Sequence, residues 1–187
     1  MEYERTCNKL TVWAPLLIPG LLQTGDYARA LIGRRDRPLA DVESRVKLRV
    51  GRRETLTRRN PPEYRAFIGE QALRQGVGGP EVMADQLRFV LKLNEEHENV
   101  TTLVVPIGNG AHDGLSGPFE LYEFPDNPPS VLLEHLRSSL FLSDDDDGDD
   151  VQGFLDAAEK DLRRAAHSEE DSLALIAEIV EEIERTG

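Results

Sequence analysis

The chain is poor in the residues that announce chemistry most directly. It has one cysteine, Cys7, in 187 residues. No disulfide can form within it, and a reducing compartment, the cytoplasm, is the expectation. The four histidines lie far apart and no zinc-ligand spacing is present. No run of about 18 apolar residues occurs, so no membrane-spanning helix is expected. The polar N-terminus lacks the pattern of a secretory signal. Basic residues are outnumbered 22 to 35, giving a net charge of −13. Such a chain repels nucleic acid, so no direct nucleic-acid binding is expected of it. Aromatic residues are 6% and hydrophobic residues 39%. A core remains possible because the apolar positions are periodic. Catalytic signatures are missing too. Gly76-Val77-Gly78-Gly79 lacks the Lys-Ser/Thr of a phosphate loop, and no nucleophile elbow or dinucleotide fingerprint is present. No cofactor or metal site is expected.

What is present is unevenly charged. From Asp144 onward there are 16 acids and 4 bases, whereas Arg34–Arg59 holds 10 bases and 4 acids. Only the latter region could attract an anion. It reads as a long helix, from Asp41 to about Arg58, broken only by Gly51. On a wheel of about 100° per residue, Arg49 and Arg53 fall beside Val42 and Val46 on the apolar face. A buried guanidinium needs a carboxylate or phosphate partner. Glu70 and Glu134 are the expected carboxylates, in a structural ion-pair network or as part of an anion pocket; a surface contact for an acidic partner is the third reading.

The remaining elements follow from punctuation and period. Pro15, Pro19 and Gly20 forbid a continuous helix, and Thr24 caps one from Asp26 to Ile32. Residues 2–13 suit a short helix or an entering strand, anchored by Trp13. Glu63–Ile68, Thr101–Pro106, Phe119–Phe124 and Ser130–His135 read as strands. Gln71–Gln75 is a short helix, and Pro80 opens another ending near Glu98. Gly108–Gly117 is a glycine-rich loop carrying His112. Asp144–Asp150 reads as an acidic linker. Its composition suggests a calcium loop, but the ligand spacing and the closing glutamate are absent. Val151, Phe154, Leu155, Ala158 and Leu162 make one helical stripe, and Leu173, Ile176, Ala177, Val180 and Ile183 make another. Ser168 with Asp171 resembles a capping box. Together these predict an α+β fold: a small, mostly antiparallel sheet of about four strands packed against several helices. The C-terminal stripes predict an antiparallel helical pair. Residues 1–143 form the core, and 144–187 the linker and helical pair of the same domain.

Residues 15–31 carry a more specific signal: Pro19-Gly20-Leu21-Leu22-Gln23-Thr24, followed by Tyr27-Ala28-Arg29-Ala30. Downstream come the arginine-rich helix, Pro61-Pro62, Gly69-Glu70-Gln71-Ala72-Leu73, Gly78-Gly79-Pro80-Glu81, Gly117-Pro118-Phe119 and Ser172. In order and spacing the chain resembles the C-terminal, non-DNA-binding domain of actinobacterial antitoxin-like Xre-type helix-turn-helix regulators. It departs from them at Arg52-Arg53, where Arg-Gln is usual. Only fourteen residues precede Pro15, too few for a helix-turn-helix. The resemblance implies a regulatory domain that binds a small molecule or a small partner protein and forms a homodimer. The rival reading is an enzyme of small-molecule biosynthesis that has repurposed the domain, with His112, Glu134, Tyr122 or Tyr27 as acid or base. A purely structural dimerisation piece is a third. The expected site is one concave, mostly apolar pocket lined by some of the rings Trp13, Tyr27, Phe119 and Tyr122. His112 would stand at its mouth, Arg49 or Glu134 at its base, and Arg53 and Glu70 nearby.

Overall fold

A computed structural model describes residues 2–33, 38–134 and 138–186. The chain opens with helix α1 (Glu2–Thr6) and strand β1 (Lys9–Ala14), so the N-terminal segment is helix and strand in succession. A 3-10 turn at Gly20–Leu22 leads to α2 (Gly25–Ile32). Thr24 caps α2 as expected, its hydroxyl accepting from the Tyr27 amide at 3.3 Å. Then follow α3 (Leu39–Gly51), α4 (Glu54–Thr57), β2 (Glu63–Gly69), α5 (Glu70–Leu73), α6 (Pro80–Glu96) and β3 (Val100–Val105). The glycine-rich loop contains a 3-10 turn, Asp113–Ser116, and is succeeded by β4 (Phe119–Glu123), β5 (Ser130–Glu134) and β6 (Ser139–Ser143). Last come α7 (Asp144–Asp156), a π-helical stretch (Ala157–Leu162), α8 (Arg163–Ala165) and α9 (Glu169–Thr186). The expected end of the fourth strand, His135, lies outside the described residues, as does the start of the basic region at Arg34.

The strands form one mixed sheet of six, in the order β3-β2-β1-β4-β5-β6. β1, β2 and β3 run parallel, whereas β4, β5 and β6 add on antiparallel. The expected mixture of helices with a largely antiparallel sheet is met in outline, but with six strands rather than about four and with three antiparallel pairings against two parallel ones. The sequence leaves β1 open between helix and strand, and β6 carries no strand signal because Leu140-Phe141-Leu142 does not alternate. The parallel half needs helical crossovers, and α2–α4 and α5–α6 supply them.

Both faces of the sheet are covered. One buries Leu10, Val12, Tyr64, Ile68, Val104 and Tyr122 against α2, α6 and α9. The other buries Trp13, Phe67, Leu103, Phe119, Leu121 and Val131 against Val151, Ala158 and Leu162. The alternation along β3 shows the division, with Val104 on the first face and Leu103 and Val105 on the second. The C-terminal stripes are therefore real, but they do not form a hairpin. One packs on each face because Ile176, Ile179 and Val180 belong to the first core and Val151, Ala158 and Leu162 to the second.

The segment joining them crosses the β3 edge. There the His167 amide donates to the Val104 carbonyl at 2.9 Å, and the buried Ser172 hydroxyl accepts from the Val104 amide at 2.9 Å. Ser168 caps α9, its hydroxyl accepting from the Asp171 amide at 3.1 Å. Asp144–Asp150 is no linker but the first turns of α7, where negative charge is favourable.

Candidate functional site

The arginine helix ends earlier than its sequence pattern suggests. α3 closes at Gly51, and Arg52 and Arg53 turn the chain into α4. Val42 and Val46 pack on Ala28, which pins α3 against α2. Arg49, Arg52 and Arg53 are left half-buried along the seam between α3 and the segment 18–24.

Each guanidinium meets a different partner. Arg52 grips Glu4 of α1, its Nε lying 3.0 and 3.2 Å from the two carboxylate oxygens and its Nη2 closer still to Oε1. The Glu4 side chain is only 2% exposed. Arg49 donates to the Gln23 side-chain oxygen at 3.2 Å, while the Gln23 amide is anchored on the Ile18 carbonyl at 2.7 Å. Arg53 donates to the Gln23 backbone carbonyl and lies 4.2 Å over the Phe89 ring. Its Nε is buried without a hydrogen-bond partner among the described residues. Burial lowers the proton affinity of both Arg49 and Arg53, and the neighbouring Arg52 lowers that of Arg49 further.

The adjoining strand adds titratable groups. Glu120 accepts a short hydrogen bond from the Tyr122 hydroxyl. Burial pushes the Glu120 carboxyl above the usual range; Tyr122 and Arg52 pull it back, while Glu134 and Glu4 push it further. Burial and Glu120 together hold the Tyr122 phenol far above its ordinary value. The Tyr64 hydroxyl is buried here without a hydrogen-bond partner among the described residues. A groove of about 1030 Å³ opens onto the Arg52–Glu4 pair, lined also by Arg5, Lys47, Leu48 and Arg58. A second, of about 590 Å³, lies among Leu73, Arg74, Met83, Ile179, Glu182 and Ile183.

The expected site residues are thus divided. Arg49, Arg53 and Tyr122 belong to this seam. Glu134, exposed at the end of β5, acts on Arg49 and Glu120 through its charge. The expected pairing of Arg49 or Arg53 with Glu70 or Glu134 is replaced by Arg52 with Glu4. Glu70 instead holds Arg74 at 2.9 Å and accepts from the Ile107 amide at 3.1 Å. These contacts, the amide first, lower its carboxyl below the usual range. Tyr27 is buried, its hydroxyl accepting from the Ile18 amide at 3.1 Å.

Trp13, Phe119 and His112 lie across the sheet from Tyr27 and Tyr122. The Trp13 indole donates to the Gly114 carbonyl at 2.7 Å and meets the His112 ring edge-on at 5.7 Å. Phe119 packs on Phe154. No single pocket can hold all four aromatic rings, because the sheet stands between them. Neither groove described above is lined by any of them. Among the described residues no three histidine, cysteine, aspartate or glutamate side chains gather to hold a metal. No described helix is long and apolar enough to cross a membrane.

Three members of the seam escaped the sequence reading: Glu4, Gln23 and Glu120. Gln23 lies inside the Leu-Leu-Gln-Thr run, so its place was marked although its role was not. A family model covers residues 1–178, almost the whole chain. The chain belongs to the family described as domain of unknown function DUF5753. Comparison with curated proteins and with solved structures finds no match. For this DUF5753 domain, the chemistry of the seam carries the functional argument.

Proposed function

We propose that this DUF5753 chain is a regulatory binding domain. It takes a small molecule or small partner protein through an anionic group, in the manner of the antitoxin-like regulators its sequence resembles. One observation carries the reading: Arg49 and Arg53 converge on Gln23 with no carboxylate in ion-pair reach among the described residues. Arg52, one position away from Arg53, has Glu4. Arg49 feels Glu134 and Glu120 only at longer range, and desolvated cations with no carboxylate in contact cost stability. They are also what a receptor for carboxylate or phosphate requires, because a planar guanidinium matches those oxygens two at a time.

The test is a titration with inorganic phosphate and with citrate, followed at the arginine Nε–Hε resonances. Saturable shifts confined to Arg49 and Arg53, lost in Arg49→Met, are expected. Equal shifts over all exposed arginines, or shifts retained at Arg53 in Arg49→Met, would sink the reading. The regulatory half is tested by the coding region upstream, where an in-frame helix-turn-helix is expected. A start codon at Met1 within a biosynthetic cluster would instead favour an enzyme.

That second reading draws on Glu120 and Tyr122. A carboxyl that keeps its proton at higher pH than usual, hydrogen-bonded to a phenol, has the makings of a general acid. It predicts that Glu120→Gln abolishes turnover while leaving anion binding at Arg49 intact.

A further inference from the structure

The two edges of the sheet are finished differently. At β3 the chain closes the edge itself, with the His167 amide and the Ser172 hydroxyl taking both polar groups of Val104. At β6 it does not. Among the described residues no backbone hydrogen bond outside the β5 ladder reaches Ser139–Ser143. Exposed edges are normally guarded by charge, proline or a bulge. β6 has no charged residue and no proline, in a chain that is 30% charged. Its three central side chains are apolar, and two of them are open, Leu140 53% and Phe141 40% exposed. Tyr3, itself 39% exposed, stacks on Phe141 with ring centres 5.1 Å apart.

The strand also reads the same in both directions: Ser139-Leu140-Phe141-Leu142-Ser143. We propose that β6 is the edge through which two copies of this chain associate. They pair β6 to β6, antiparallel, about a two-fold axis at Phe141, and the two sheets become continuous. This names a surface for the expected homodimer and does not rest on the anion-binding reading.

The register follows from symmetry. Phe141 faces Phe141 of the second copy, Leu140 faces Leu142, and Ser139 faces Ser143. In an antiparallel pair, opposed residues point to the same side of the sheet. Leu142 already packs beside Val131 and Leu133 in the second core, so the leucines of both copies would extend that core across the axis. On the other side the two Phe141 rings would lie between the two Tyr3 rings. A chance partner strand has no reason to match at every position, whereas a second copy matches at all of them. Two chains of net charge −13 repel, and the contact itself is apolar, so added salt should favour association.

The experiment uses single cysteines in a Cys7→Ser background. Opposed residues of an antiparallel pair have Cα atoms about 4.5–5.5 Å apart, within disulfide reach. Under mild oxidation Phe141→Cys alone should give a covalent dimer. Leu140→Cys alone should not, but mixed with Leu142→Cys chains it should cross-link. Sedimentation of the unmodified protein should show a monomer–dimer equilibrium that shifts toward dimer with salt. Phe141→Lys should weaken it by about tenfold or more, since like charges would then face each other on the axis. A protein that stays monomeric at every concentration overturns the proposal. So does a dimer that survives Phe141→Lys and leaves Phe141→Cys unlinked, because the second copy would then dock elsewhere.

Discussion

Arg52→Ala should be among the most damaging exposed-side substitutions in the chain. Its partner Glu4 lies in a five-residue helix, and its side chain is 2% exposed while that of Arg52 is 27% exposed. The pair is fork-like, with Nε reaching both carboxylate oxygens. Removing the guanidinium takes from a desolvated carboxylate the partner that reaches both its oxygens, and breaking a buried pair costs about 3–5 kcal/mol. Typical domains have about 5–15 kcal/mol in total. At a urea dependence of about 2 kcal/mol per molar, the midpoint should fall by roughly 1.5–2.5 M. The double variant Glu4→Leu/Arg52→Leu should recover most of that loss, since replacing both charges by apolar groups is often neutral. A second readout separates local from global effects. Cys7 follows α1 and is 3% exposed, with burial pushing its thiol up to about 11. Detachment of α1 should make that thiol react faster in native buffer. An unchanged midpoint and unchanged thiol reactivity would mean that α1 is held by its apolar contacts and that the ion pair is ornamental.

The other expectations are more local. Glu120 has its carboxyl raised in the folded chain, so the folded state binds the proton more tightly than the unfolded one. Stability from this group is therefore present in acid and declines as pH rises from about 4.5 through the raised value; Glu120→Gln should flatten that decline in urea midpoints measured across the range. Ser172→Ala leaves the Val104 amide unpartnered at the covered β3 edge, which should cost about 1–3 kcal/mol and speed exchange of that one amide. Gly114→Ala would place a Cβ 2.8 Å from Leu162 Cδ2, 2.9 Å from His112 Nδ1 and 2.9 Å from Trp13 Nε1. Overpacking of that kind costs about 1–3 kcal/mol, and Trp13 is the only tryptophan, so a red-shifted emission should accompany the loss.

Local signals in the sequence were reliable where one residue's chemistry decides the outcome. Thr24 caps α2, Pro80 opens α6 and Ser168 caps α9, each by a side chain or ring acting within a few residues. Apolar stripes also identified which residues are buried, including both C-terminal helices. They could not say against what. A stripe at helical spacing is equally content on either face of a sheet, so the antiparallel hairpin expected of α7 and α9 became two helices on opposite faces. The same ambiguity leaves open, in the sequence, which of the rings can share a pocket. Trp13 and Tyr27 read alike as buried rings, and only the sheet between them sets them apart.

The arginine seam shows a different limit. The wheel placed Arg49 and Arg53 on the buried side, and both are half-buried. Arg52 falls about 80° from Val42 on the same wheel and carries no signal of its own there. But a wheel holds only while the helix lasts, and α3 stops at Gly51. Beyond it the chain turns, and Arg52 swings onto a carboxylate 48 residues earlier in the sequence. No periodicity within one helix can announce a partner so distant. Charge arithmetic could point to it only in outline: a cluster of cations inside an acidic chain must find carboxylates somewhere. What arithmetic does not supply is the remainder. Arg52 takes Glu4, while Arg49 and Arg53 are left with the two oxygens of Gln23. An uncharged acceptor can satisfy a guanidinium's geometry without neutralising it. That difference separates a stapled arginine from one still able to receive an anion, and it gives Arg49→Met opposite expected effects on stability and on binding. Removing a desolvated cation that touches no carboxylate, and feels Glu134 and Glu120 only at longer range, should leave the urea midpoint little changed or raised, while the response to phosphate disappears. A variant that loses stability as Arg52→Ala does would show Arg49 to be a second structural arginine.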